Sequence, residues 1–240
     1  MRAETRHQLK QDAFSRATME AAERTANWSV EHKNTLIVVG IIVIIVLGVG
    51  LGGWYYQTAQ NEKASLDMSL VVRTLDTPLR PPGAPPQPEM PSFASARERA
   101  EAAGKQLQAI LDKYPHTHTA DVARYMLGVT LVTKGDNTAA ERNFKEVASG
   151  SRELASMAKL ALAALYGNTN RTKDAIALYQ ELINKPTTVV SKVTAQLQLA
   201  ELYQTSNQPL DAKRLYEQIK KDNPSTEAGQ MATEKLTELK

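Results

Sequence analysis

The sequence predicts an all-α protein in which one N-terminal transmembrane helix is followed by a solenoid of helical hairpins with a C-terminal capping helix. Three observations carry this. Thirteen Leu, Ile and Val residues crowd between Leu36 and Leu51 in a chain that is otherwise polar. Beyond Phe93, triads led by Ala recur about every 36 residues. Aromatic residues make up only 5% of the 240 and Cys is absent, which favours close-packed small-residue helices over a β-sandwich or a disulfide framework. Without Cys there is also no thiol nucleophile, thiolate metal site or Cys-borne lipid anchor. A net charge of +3 is too small a bias to point to nucleic acid.

Residues 1–34 form a polar tail of mixed charge, expected on the cytoplasmic side. Leu9, Ala13, Ala17 and Ala21 recur every four residues and could form a modest helix, with Trp28 near the inner interface. A solvated tail is the plainer reading.

Residues 35–56 are predicted to cross the membrane. Leu36 to Gly53 contains only Leu, Ile, Val and Gly, and at about 1.5 Å per residue it spans about 27 Å, close to the hydrocarbon thickness. Its large aliphatics contribute roughly −4 to −8 kcal/mol to insertion with no charge opposing them. Trp54, Tyr55 and Tyr56 suit the far interface. A buried core helix would need a polar face, and a cleaved signal peptide would need a shorter run followed by small residues; neither is present. Arg2, Arg6, Lys10, Arg16, Arg24 and Lys33 precede the span, against Lys63 and Arg73 just after it. That balance orients the N-terminus to the cytoplasm and the C-terminal part to the periplasm of a bacterial inner membrane.

Gly48-Val49-Gly50-Leu51-Gly52-Gly53 matches G-x-G-x-x-G, but no strand precedes it and no βαβ unit surrounds it, so the match is accidental. Gly48 and Gly52 also form G-x-x-x-G, a spacing that lets a second helix approach closely.

Residues 57–76 carry Ala64, Met68, Val71, Val72 and Leu75 at near-helical spacing and continue the helix outward. Residues 77–92 hold seven of the 11 prolines and read as an extended, semi-rigid loop between two packed helices.

Residues 93–240 contain the repeats. Ala103-Leu107-Ile110, Ala140-Phe144-Val147, Ala175-Tyr179-Leu182 and Ala212-Tyr216-Ile219 share one spacing, and their leading Ala residues are 37, 35 and 37 apart. The Ala admits a neighbouring helix and the two larger side chains fill the space one and two turns on. Preceding helices repeat Leu127-Gly128-Leu131, Leu162-Ala163-Tyr166 and Leu199-Ala200-Tyr203 in register. Turn signals separate the two sets: Lys134-Gly135-Asp136-Asn137, Gly167-Asn168-Thr169-Asn170 and Ser206-Asn207-Gln208-Pro209. Pro115, Pro186 and Pro224 stand where second helices should stop.

This pattern resembles the tetratricopeptide repeat over about residues 95–224, with a final helix from Thr226 to Leu239 as the cap. The Trp common in the family's first helix is replaced by Arg124, Lys159 and Gln196.

No catalytic constellation is visible. His7 and His32 lie in the tail or at its end, and His116 and His118 in one loop, where His-x-His lacks a third metal ligand. There is no H-E-x-x-H, G-x-S-x-G or P-loop, so no enzyme, cofactor, metal or small-molecule substrate is expected.

The resemblance implies a concave groove lined by the first helix of each pair. Carried onto this sequence, the groove positions are Val122, Tyr125, Val129 and Val132, then Met157, Leu160 and Ala164, then Thr194, Leu197, Glu201 and Gln204. The set is mostly apolar and lacks a Lys and Asn cluster for a terminal carboxylate. For Tyr125 and Leu160, burial between helices is an equal alternative. The tail, the anchor ending in Gly53-Trp54-Tyr55-Tyr56, the helix with Ala64 and the repeats together resemble the YfgM-like family, ancillary subunits of the Sec translocon. That resemblance implies a non-catalytic protein that receives or chaperones polypeptides leaving the translocon. The alternative is a scaffold holding one subunit of another membrane complex.

Overall fold

The computed structural model describes residues 32–85, 91–150 and 152–239. They contain nine helices and no strand. The chain divides into two units, the first ending at Thr58 and the second starting at Ala59. Trp28 and the helical pattern of Leu9, Ala13, Ala17 and Ala21 lie outside the described residues.

The first unit holds the apolar part of α1 (Lys33–Asp76), among the described residues the one helix long and apolar enough to cross a membrane. Its aliphatic side chains from Ile37 to Leu51 are exposed, as are Trp54, Tyr55 and Tyr56. Around Gly48 and Gly52 the helix surface is open: a Cβ at either would meet nothing within 4 Å.

The second unit is the helical stack: α2 (Ala96–Lys113), α3 (His118–Lys134), α4 (Asn137–Ala148), α5 (Arg152–Asn168), α6 (Thr172–Asn184), α7 (Lys192–Thr205), α8 (Pro209–Asp222) and α9 (Glu227–Glu238). Consecutive helices from α2 to α9 pack on one another, and α3, α5 and α7 also touch in series. All twelve residues of the four Ala-led triads are buried, none more than 5% exposed. Eleven of them, all but Val147, feed three apolar clusters, one containing Leu107 and Ile110, one Phe144 and Tyr179, and one Tyr216 and Ile219.

The small residue in the Leu-Gly/Ala position is a steric requirement. A Cβ on Gly128 would stand 2.5 Å from the Phe144 ring, so α3 and α4 approach closely there.

Each hairpin turn uses one left-handed residue: Gly135 (φ 87°), Asn170 (φ 60°) and Asn207 (φ 58°). The next residue's N–H then reaches back to the first helix, from Asp136 to Leu131 O, Arg171 to Tyr166 O and Gln208 to Tyr203 O, at 2.8–2.9 Å. Gly and Asn are the residues that adopt this conformation most readily, which is why the three turn signals contain them. Second helices end one residue before proline: Tyr114, Lys185 and Asn223 are all turned out of the helical region, with φ near −130°. Side-chain caps from Ser95, Thr117, Asp136, Ser191 and Thr226 open five of the helices.

At two of the three positions where the resembled family carries Trp, the side chain forms an ion pair within its hairpin. Arg124 Nη1 meets Glu146 Oε2 at 2.8 Å, and Lys159 Nζ meets Glu181 Oε1 at 2.7 Å, both across 22 residues. Gln196, the third member of the series, is buried.

Residues 59–76 of α1 pack as the first helix of a further hairpin, with α2 as the second. Ala64 and Val71 are fully buried, and Val71 shares a cluster with Ala103, Leu107 and Leu127. Asn61 Oδ1 accepts from the His118 N–H at 3.0 Å, and Lys113 Nζ bonds Asp67 at 3.3 Å. The proline-rich loop is therefore the turn of this hairpin, enlarged. Its base is clamped by a single parallel bridge between Leu79 and Phe93, with Arg80 N to Phe93 O at 2.8 Å and Phe93 N to Pro78 O at 3.1 Å. Arg99 adds a bond from Nη1 to Thr77 O at 3.0 Å.

A polar knot ties the second and third hairpins. The Glu141 carboxylate accepts two bonds from Arg171 Nη1 at 3.0 and 2.9 Å, one from the Tyr166 hydroxyl at 2.9 Å, and pairs with Lys145 at 2.7 Å. The Arg171 guanidinium also lies 3.8 Å from the Tyr166 ring centre. Lys145 first, then Arg171 and Tyr166, hold the Glu141 carboxyl down at about 2.

Candidate functional site

The eleven groove positions all fall on α3, α5 and α7, but they do not share one environment. Val129 and Val132 are exposed, at 43% and 38%. Thr194 and Glu201 are exposed too, and Val122, Ala164 and Gln204 are half-buried. Tyr125, Met157 and Leu160 pack against the middle apolar cluster, and Leu197 against the last one. Tyr125 stacks tilted on Phe144 with ring centres 5.8 Å apart. The Thr194 hydroxyl is engaged by Ser191 Oγ at 2.8 Å, within the cap of α7.

Two clefts interrupt this surface. The first, about 320 Å³, is lined by Leu75 of α1, Ala96, Arg99 and Ala100 of α2, and Tyr125, Met126, Val129, Thr130 and Thr133 of α3. It is mostly apolar, with hydroxyls at one side and the Arg99 guanidinium committed to Thr77 O.

The second cleft, about 750 Å³, opens at the turn end of α5 and α7. Ala164, Gly167 and Asn168 come from α5, Asn170 from the turn, Thr172 and Tyr179 from α6, and Gln198, Glu201, Leu202, Thr205 and Ser206 from α7 and its end. Only Ala164 and Glu201 of these were legible as groove positions. The others come from the turn and from neighbouring faces of α6 and α7, which a heptad-like spacing along the first helices does not sample.

Gly167 sets the depth of the second cleft. A Cβ there would lie 2.9 Å from Leu202 Cδ1, so its absence lets α5 and α7 close over the floor. Tyr179 forms part of that floor and is 3% exposed. Burial first, and the Glu201 charge second, push its phenol up to about 12. The phenol is therefore a neutral donor at any physiological pH.

Among the described residues no group of three or more His, Asp or Glu is placed to hold a metal ion. His116 and His118 remain in the loop between α2 and α3 and at the start of α3, and the His118 N–H is held by Asn61.

The repeat geometry agrees with comparisons to known families. The model of a tetratricopeptide repeat-like domain matches residues 26–185, and that of a tetratricopeptide repeat matches residues 194–226. No curated protein matches the chain.

Proposed function

The chain belongs to the tetratricopeptide repeat-like domain family, a protein–protein interaction module, and from that premise we propose that it is a membrane-anchored receiver of polypeptides. Its organisation on this reading is a cytoplasmic tail over 1–34, a span over 35–56, a helix over 57–76, a proline-rich loop over 77–92 and the repeats over 93–240. The span binds the lipid bilayer as a single-pass anchor, the N-terminus faces the cytoplasm, and the repeats face the periplasm. In that place, and by its resemblance to the YfgM-like family, the protein stands beside the Sec translocon and assists or chaperones envelope proteins as they emerge.

One observation supports the receiving role above others. Val129 and Val132 of α3 are exposed, and residues of α3 line the first cleft and residues of α5 and α7 the second, each together with neighbouring helices. Exposed aliphatics beside a cleft suit the apolar stretches of an unfolded chain.

The test is site-specific photo-crosslinking in the native membrane. A benzophenone side chain at Val129 should give adducts with a translocon subunit or with emerging envelope proteins, and one at exposed Arg142 on α4 should not. Adducts from Arg142 and none from Val129 would refute the groove reading. A single adduct of fixed stoichiometry, with no translocon component, would support the scaffold alternative. Protease added outside spheroplasts should digest the repeats; their survival would reverse the orientation.

A further inference from the structure

The second cleft has a chemistry that the groove reading does not use. Among its eleven lining residues, three side-chain amides (Asn168, Asn170, Gln198) and three aliphatic hydroxyls (Thr172, Thr205, Ser206) stand around a single charged group, Glu201. Apolar contact comes from Ala164, Leu202 and the Tyr179 ring. Such a cleft offers an apolar chain little, and each buried amide would leave donors and acceptors unmet.

Glu201 is exposed, and Lys235, whose ammonium is held charged first by Glu238 and least by Glu201, is bonded to Glu238 Oε2 at 2.9 Å. No lining residue is Lys, Arg or His. The carboxylate thus faces the cleft without a cation among its walls. Tyr179 supplies the second element. Its side chain is buried, yet its hydroxyl makes no hydrogen bond among the described residues and is not sealed from the cleft. Held neutral, it can only donate to, or accept from, what enters.

We propose that this cleft binds an extended polypeptide segment carrying a Lys or Arg side chain, the cation meeting Glu201 and the peptide backbone meeting the amides, hydroxyls and the Tyr179 phenol. Side-chain amides supply both a donor and an acceptor, which is what successive N–H and C=O groups of an extended chain need. The cation adds the charge-assisted bond that fixes register. An acidic segment is rejected by the same carboxylate. This rests on the groove reading and gives it a charge preference: apolar residues at α3, a basic residue at α7.

The experiment uses the full chain in lipid nanodiscs and four fluorescein-labelled peptides, Ser-Asn-Ser-Xaa-Ser-Asn-Ser with Xaa as Lys, Arg, norleucine or Glu. Fluorescence anisotropy at low salt should show the Lys and Arg peptides binding about tenfold more tightly than the norleucine peptide, with the Glu peptide weakest. Glu201→Gln should bring Lys and Arg down to the norleucine level, and Glu201→Asp should restore part of the preference. Because Glu201 is exposed, both variants fold, and unchanged thermal melting confirms it. Equal binding of all four peptides, or a Lys preference that survives Glu201→Gln, overturns the proposal. So does failure of the Lys peptide to bind. If the proposal fails while Val129 still crosslinks to polypeptide, the groove reading stands alone; if both fail, the groove reading falls with it.

Discussion

The two clefts both draw on the row of first helices and on their neighbours, yet they offer opposite chemistry. The lining of the first includes Leu75, Ala96, Ala100, Met126 and Val129; that of the second includes Asn168, Asn170, Gln198 and Glu201. The buried side of the repeat does not vary in this way: Ala103, Ala140, Ala175 and Ala212 are all fully buried. The repeat therefore constrains only what faces inward. Its outward positions are free to differ from one hairpin to the next.

The largest effect is expected from breaking the inward side. Ala175 is fully buried in the cluster that supports α5, α6 and α7. Ala175→Trp overpacks it and should cost about 3 kcal/mol or more. Amide hydrogen exchange should then rise across α5–α7, beneath the polar cleft, before it rises in α2 and α3 beneath the apolar one. Unchanged melting would mean that the repeat register is wrong.

Gly128 provides the matching break on the other side. Gly128→Val drives a branched side chain into the Phe144 ring, and a loss of about 2 kcal/mol is expected. The damage should widen the α3 cleft and leave Lys-peptide binding at α7 intact, which the anisotropy assay reads directly.

The Glu141 knot, which ties α4 to α5 and the turn after it, makes stability depend on pH. A carboxyl depressed from its ordinary 4.5 to about 2 contributes stability that is present above the ordinary value and is lost as pH falls through about 2. Glu141→Gln should remove that dependence and about 1–2 kcal/mol at neutral pH, less than the whole shift converts to, because the carboxylate keeps contact with water. Melting curves of the two proteins should differ at pH 7 and converge towards pH 2. Parallel curves would show that the knot carries no stability.

The sequence made the inward side legible because a triad displaced by one residue would expose its large side chains, so the spacing admits one register. Gly135, Asn170 and Asn207 were legible as turns for a similar reason: few residues accept a positive φ. Three things were hidden. That the two packed helices flanking the proline loop form a further hairpin of the repeat was masked by the loop itself, whose length interrupts the 36-residue period. The pairs Arg124–Glu146 and Lys159–Glu181 read along the chain as solvated charges, because 22 residues separate the partners. The polar cleft was hidden because its amides come from the end of α5, from the turn after it and from α7, whereas the groove positions were taken at one spacing along the first helices only.

The smallest effect tests whether cleft shape, and not only cleft charge, separates the two regions. Gly167→Ala adds a Cβ that would stand 2.9 Å from Leu202 Cδ1, the mobile end of a side chain that can turn aside. The helix gains about 1 kcal/mol in propensity when Gly becomes Ala, and the shifted Leu202 costs a similar amount, so stability should change by less than about 0.5 kcal/mol. The floor of the polar cleft, however, rises towards Tyr179 and Glu201. Lys-peptide affinity should fall about threefold with melting unchanged, while crosslinking from Val129 proceeds as before. An affinity left unaltered would mean that the peptide does not reach the floor, and that Glu201 alone distinguishes the α7 cleft from the α3 cleft.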